Sequence, residues 1–209
     1  MPNLRQLIDT YAPLLLIDAA SARIQVGLLG SGVTARWAAS DQESGVGVFR
    51  CLEQLGIQPG DAGAFVYCDG PGSVLGIRTV AMALRTWNVL RPRPVFAYHS
   101  LALVAQALGR PEIQVIADAR RDSWHCLAMG EGLRRVTTAE LAGKQLIMPD
   151  GFRHWTPLPA GTTRTPYGVA GLLPGILEPD LFRAVGAPDA FLHEEPSYVT
   201  WTPQIHRAT

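Results

Sequence analysis

The chain has 209 residues, 47% of them apolar and 17% charged, and its 18 Lys and Arg balance its 18 Asp and Glu. That composition excludes a disordered segment, nothing in it looks like the electrostatic footprint of a protein that holds nucleic acid by itself, and the length suits two small lobes sharing an interface. Cys51, Cys68 and Cys126 are scattered, with no C-x-x-C, and no signal-like or membrane-length apolar run is present, so free buried thiols and a cytoplasmic location are expected.

Leu4, Leu7 and Ile8 fall at helical spacing in residues 1–12, an N-terminal arm too short to be stable without docking. The apolar run at 14–17, ending in Asp18, predicts a strand buried on both faces. Ile24, Val26 and Leu28 alternate with Gln25 and Gly27, and a Gly30-Ser31-Gly32 turn leads into a third strand at 33–38. Val48, Cys51, Leu52 and Leu55 form one stripe of a helix over 44–55, which Gly56 stops. Gly45 and Gly47 each cost that helix about 1 kcal/mol relative to Ala. They mark either the close approach of another helix or a frayed first turn.

Pro59-Gly60 turns the chain into an apolar, partly aromatic strand at 63–68. The following helix, 77–90, has two stripes. Ile77, Val80, Ala81, Leu84 and Trp87 make the first; Thr79, Met82, Ala83, Thr86 and Leu90 make a second that is small or apolar. A helix packed on a sheet needs one, so the second face calls for cover by the helix at 44–55 or by another chain. A short strand at 94–97 precedes a helix at 101–108 with Ser100 as N-cap. Gly109-Arg110-Pro111 marks a lobe boundary, dividing 1–109 from a smaller lobe at 110–209. A hairpin at 113–117 and 124–128 turns around Asp118-Ala119-Arg120-Arg121-Asp122. A strand near 133–137 follows, with Thr138 capping a short helix. The Pro- and Gly-rich segment 149–196 offers only two short helices, near 167–173 and 180–185.

Between the strand at 63–68 and the helix at 77–90 runs Asp69-Gly70-Pro71-Gly72-Ser73-Val74-Leu75-Gly76-Ile77-Arg78. Its glycines permit positive φ and close contact, and a helix start leaves N–H groups unpartnered. The loop is thus built to approach an anion or another backbone. It matches neither the P-loop nor the dinucleotide pattern. Asp18, Gly70, Gly72, Ser73, Gly76 and Arg78 are the candidate anion- or nucleotide-loop residues. His99, His125, His154, His193 and His206 include no H-x-x-x-H pair, and no G-x-S-x-G elbow surrounds Ser73. Neither a metal centre nor peptidase chemistry is expected.

Gly70-Pro71-Gly72-Ser73-Val74-Leu75-Gly76-Ile77-Arg78 resembles the G-P-G-S-F-T-G-[LIV]-R signature of the bacterial TsaB (YeaZ) family, glycoprotease-like homologues of M22 peptidases, departing at Val74 and Leu75. Residues 14–18 with 22–28 resemble that family's opening hairpin. Asp118-Ala119-Arg120 is similar to its D-A-R, and Pro196-Ser197-Tyr198-Val199 to its closing P-x-Y-[LV]. Ala19 and Ala20 stand where the family has hydroxylated residues.

The resemblance implies an α/β fold of the actin-like ATPase class with two RNase H-like lobes and a degenerate active site. It implies a non-catalytic scaffold that binds and activates the catalytic paralogue TsaD, with the ATPase TsaE, in forming threonylcarbamoyladenosine beside the tRNA anticodon. Pairing would use the two helices at 44–55 and 77–90, through Val48, Cys51, Leu52, Thr79, Met82, Ala83, Thr86 and Leu90. tRNA would be met only through the complex, and no cofactor is implied beyond ATP or ADP and Mg²⁺ at the complex interface. Two alternatives stay open: a stand-alone nucleotide- or small-molecule-binding enzyme of the same fold, and a homodimer through the same helices.

Overall fold

The computed structural model describes residues 1–30 and 33–190, so Ser31 and Gly32 of the expected turn, the Pro196-Ser197-Tyr198-Val199 stretch, His193 and His206 lie outside the described residues. The N-terminal arm is a docked helix, α1 (Leu4–Tyr11). Asn3 caps it reciprocally with Gln6, and Leu4 and Leu7 are buried. Its Arg5 N–H donates to Leu177 O.

Three strands follow, β1 (Leu14–Asp18), β2 (Ile24–Gly30) and β3 (Val33–Ser40), as an antiparallel meander. After α2 (Ser44–Leu55), β4 (Ala64–Gly70) pairs parallel to β1; α3 (Val74–Leu90) then leads to β5 (Val95–His99), parallel to β4. The continuous apolar runs belong to central strands: β1 and β4 are buried along their whole length, as strands covered on both faces must be. α2 packs on β2 and β3, α3 on β1 and β4, and the two helices on each other. Gly47 makes its close approach to the sheet and not to a helix, since a Cβ there would meet Ile24 Cδ1 at 2.4 Å; nothing lies within 4 Å of a Cβ at Gly45.

α4 (Ser100–Leu108) crosses to the second sheet, touching β4 and β5 on one side. On the other it meets β6 (Ile113–Asp118) and β7 (Ser123–Leu127). β6, β7 and β8 (Arg134–Thr137) repeat the meander, and β9 (Gln145–Pro149) lies parallel to β6 as β4 does to β1. β10 (Thr163–Thr165) then pairs with β9.

Four local expectations give way. Ser100 is the first residue of α4 and not its cap; its hydroxyl donates to Pro71 O at 2.5 Å. Thr138 stands at the N-cap position of a 3₁₀ turn over Ala139–Leu141, but its hydroxyl makes no cap bond and accepts instead from the Trp124 indole at 3.0 Å. The helix near 167–173 shrinks to α5 (Val169–Leu172) and a 3₁₀ turn over Leu173–Ile176, as Pro174 cannot continue the backbone ladder. The helix near 180–185 is instead a short strand, β11 (Arg183–Ala184), antiparallel to β5 at the edge of the first sheet. There the open edge of β5 offers partners, and Val185 N–H donates to Val95 O at 2.9 Å. The sheet orders are β11-β5-β4-β1-β2-β3 and β10-β9-β6-β7-β8.

Candidate functional site

β1 and β4 run parallel with Ile17 opposite Tyr67, so the turn after Asp18 and the glycine loop leave the same end of the sheet side by side. The close approach permitted by the glycines is to that turn. A Cβ at Gly72, whose φ is 154°, would meet Ala20 O at 2.3 Å, and one at Gly76 would meet Ala19 O at 2.3 Å. Ser73 N–H donates to Ala20 O at 2.7 Å. Its hydroxyl caps α3 by accepting from Gly76 N–H at 3.3 Å, the N-cap role that a short oxygen side chain fills. Arg78 is exposed.

Asp18 is fully buried. Its Oδ2 accepts from Tyr98 OH and Tyr167 OH, both at 2.6 Å, and its Oδ1 from Ala20 N–H at 3.0 Å. Burial pushes the carboxyl up from its ordinary value, against these hydrogen bonds. Burial, and then the neighbouring Asp18 charge, drives Tyr98, Tyr167 and Cys68 well up in turn. Tyr167 is held from behind by Gln25, whose Nε2 donates to Tyr167 O at 3.4 Å and whose Oε1 accepts from Val169 N–H at 2.8 Å. Both Asp18 oxygens are thus spoken for by groups that tie the first sheet to the segment ahead of α5.

A second buried carboxylate, Asp69, ends β4 beside the loop. It pairs with Arg183 of β11, and its Oδ1 lies 2.9 Å from His99 Nδ1 at the end of β5. Next to it Tyr67 OH donates to Asp189 O at 3.0 Å, and burial pushes that phenol up to about 12. The sequence reading missed the pairing of Asp69 with His99; its signal is two chemistry-bearing residues closing adjacent parallel strands, where α/β sheets gather their ligands. Among the described residues no cluster of three or more His, Cys, Asp or Glu is arranged to hold a metal ion. No helix there is long and apolar enough to cross a membrane.

The third feature is the outer face of α2 and α3. Ile77, Val80, Ala81 and Leu84 of α3 are buried, while Thr79 meets α2, its hydroxyl accepting from Ser44 Oγ at 3.2 Å. Ala83 is half-buried and Thr86 exposed. Leu75, Met82 and Leu90 remain 76%, 57% and 81% exposed. On α2 the expected contact residues are corrected: Val48, Cys51 and Leu52 face the protein's own core, because the helical stripe they form is the one that covers the sheet. Val46 and Phe49 are the apolar residues turned outward. Phe49 stands edge-on to Trp87, ring centroids 6.4 Å apart. Behind them a cleft of about 480 Å³ is lined by Phe49, Leu52, Ile57, Pro59 and Trp87 among others.

In the second sheet, Asp118 ends β6 as Asp18 ends β1. Its Oδ1 accepts from Arg120 N–H at 2.5 Å and its Oδ2 from the N–H groups of Trp155 and Thr156 at 2.6 and 2.9 Å. Partial burial works against the charged form, but the N–H groups of Thr156, Trp155 and Arg120 outweigh it and hold the carboxyl below its ordinary value.

Residues 44–156 match the family described as TsaD: tRNA N6-adenosine threonylcarbamoyltransferase. Among solved structures the chain is similar to YeaZ from Pseudomonas aeruginosa at 20% identity and a TM-score of 0.57, covering 77% of this chain and 88% of that one. It is also similar to an uncharacterized protein with similarity to peptidase YEAZ from Pseudomonas aeruginosa, at 19% identity and a TM-score of 0.54, covering 78% and 89%. No curated protein matches. These structures share the fold, two mixed sheets flanked by helices in the actin-like, RNase H-like arrangement.

Proposed function

Because the chain belongs to the TsaD family of tRNA N6-adenosine threonylcarbamoyltransferases, matched over residues 44–156 of its 209, we propose that it serves as a non-catalytic subunit of the complex that forms threonylcarbamoyladenosine in tRNA. It binds and activates a catalytic TsaD-like paralogue, a TsaE-like ATPase completes the assembly, and the complex as a whole holds the tRNA. ATP or ADP and Mg²⁺, where they bind, do so at the interface between subunits.

The observation that carries this reading is the uncovered apolar surface of α2 and α3. Val46, Phe49, Leu75, Met82, Val89 and Leu90 are all exposed on two helices already packed against each other, and apolar side chains left open together on neighbouring helices are what a protein-binding face offers. A non-catalytic role is supported by Asp18, whose oxygens are engaged by Tyr98, Tyr167 and Ala20, and by Gly72 and Gly76, which press on the carbonyls of Ala20 and Ala19.

Mixing the chain with the TsaD-like paralogue of its own organism and measuring mass by light scattering after gel filtration is the direct test. A stoichiometric complex is expected, lost in Met82→Glu and in Ala83→Arg while both variants keep the wild-type melting temperature. A folded chain that ignores the paralogue contradicts the proposal, and so does tight binding of ATP and Mg²⁺ by the isolated chain in calorimetry.

A further inference from the structure

The turn between β6 and β7 and the segment after β9 form a surface that the α2 and α3 face does not include. Arg120, Arg121 and Asp122 follow one another with φ of 63°, 51° and 54°, a left-handed conformation that residues other than glycine take sparingly. Asp118 clamps both segments: one oxygen holds Arg120 N–H, the other holds the N–H groups of Trp155 and Thr156. The clamp fixes the Arg120 guanidinium 4.4 Å from the centre of the Trp155 ring. Trp155 is nonetheless 64% exposed, an unusual state for the largest apolar side chain. Arg121 follows Arg120 in the turn and Arg153 stands two residues before Trp155; both are exposed. Asp118 keeps its charge beneath the clamp, because the N–H groups it accepts from favour the carboxylate, and Asp122 is exposed at the end of the turn, so three arginines face two carboxylates here and the exposed indole, more than net charge, sets what the surface can hold.

An exposed indole backed by a guanidinium, on two clamped segments that carry further exposed arginines, has a specific complement. Unpaired bases stack on aromatic and guanidinium planes, and their phosphates pair with arginine. An acidic peptide would use the arginines but gain nothing from the open indole. We propose that Trp155, with Arg120, Arg121 and Arg153, forms a binding patch for single-stranded RNA, one unpaired base stacking on the indole and its flanking phosphates meeting Arg121 and Arg153. The patch does not depend on docking through α2 and α3; only the choice of RNA over DNA as the strand rests on the family.

The test uses the full chain and a short fluorescein-labelled single-stranded oligoribonucleotide, followed by anisotropy, with no paralogue present. Binding is expected to be weak and salt-dependent, with log K falling against log salt at a slope of about −1.4 for about two phosphates. Trp155→Ala is expected to weaken it about tenfold, Trp155→Phe to restore most of that loss, and Arg121→Gln to flatten the salt slope. If Trp155→Ala does not fold, the Trp155→Phe and Arg121→Gln variants carry the test, with retained binding and a flattened slope expected. No binding by the wild-type chain, binding indifferent to Trp155→Ala in a folded variant, or equal binding of a polyglutamate peptide would overturn the proposal. Loss of the paralogue complex with RNA binding intact would count against the docking reading alone.

Discussion

Asp18 and Asp118 close the first strands of two repeated meanders, and each begins its turn with the same local bond, its Oδ1 accepting the N–H two residues on. Their other oxygens part company. Asp18 is sealed under the hydroxyls of Tyr98 and Tyr167, whereas Asp118 stays half-buried and clamps backbone N–H groups of a neighbouring segment. The same strand-end carboxylate thus serves as an interior tie between the first sheet and the segment ahead of α5 in one place and as a surface clamp in the other. What decides is the supply of buried phenols from β5 and from the segment ahead of α5, and not the turn itself.

The largest effect that would break this contrast is on stability. Asp18→Ala strands two buried hydroxyls, each costing roughly 1–3 kcal/mol when unpaired, so a loss of about 3 kcal/mol is expected in urea unfolding. Asp118→Ala frees backbone groups that reach water more easily, and about 1 kcal/mol is expected. Equal losses would mean that Asp18 is no better sealed than Asp118. Tyr167→Phe removes one donor and leaves Tyr98 in place; it should cost about 1 kcal/mol in the same assay.

The smallest effect is the sharpest in sign. Asp118 has a lowered carboxyl, so its contribution is present above the unfolded value of about 3.9 and fades as pH falls through the folded value. Asp18 has a raised carboxyl. The folded chain then holds the proton more tightly than the unfolded chain, and stability declines as pH rises from about 3.9 toward the folded value. Subtracting the stability–pH curves of Asp18→Asn and Asp118→Asn from that of the wild type should give slopes of opposite sign, and slopes of the same sign would refute the assignment.

Local pattern made much of this fold legible. Continuous apolar runs marked β1 and β4, the i, i+3, i+4 stripe marked α2, and the glycine loop stood where it was read, between β4 and α3. On α3 the second stripe pointed to Met82 and Leu90, which are exposed. On α2 the same logic chose the wrong side. Periodicity reports the buried stripe, and the outward residues Val46 and Phe49 have to be read as what remains. Long-range pairing left no local trace: Tyr98 and Tyr167 reach Asp18 from 80 and 149 positions away, and β11 is two residues long and held by an edge it does not adjoin in sequence. The contact of Asp69 with His99 depends on strand order, which spacing does not encode.

The central claim is that the chain acts through α2 and α3 on its first sheet and not through its strand-end carboxylates. Its most direct test is a titration of the TsaD-like paralogue with the wild-type chain and with Leu75→Glu, with each chain's melting temperature measured alongside. The account predicts affinity lowered about 100-fold or more by a buried interface charge, with the melting temperature unchanged because Leu75 is 76% exposed in the free chain. Undiminished affinity in the Leu75→Glu variant would contradict it.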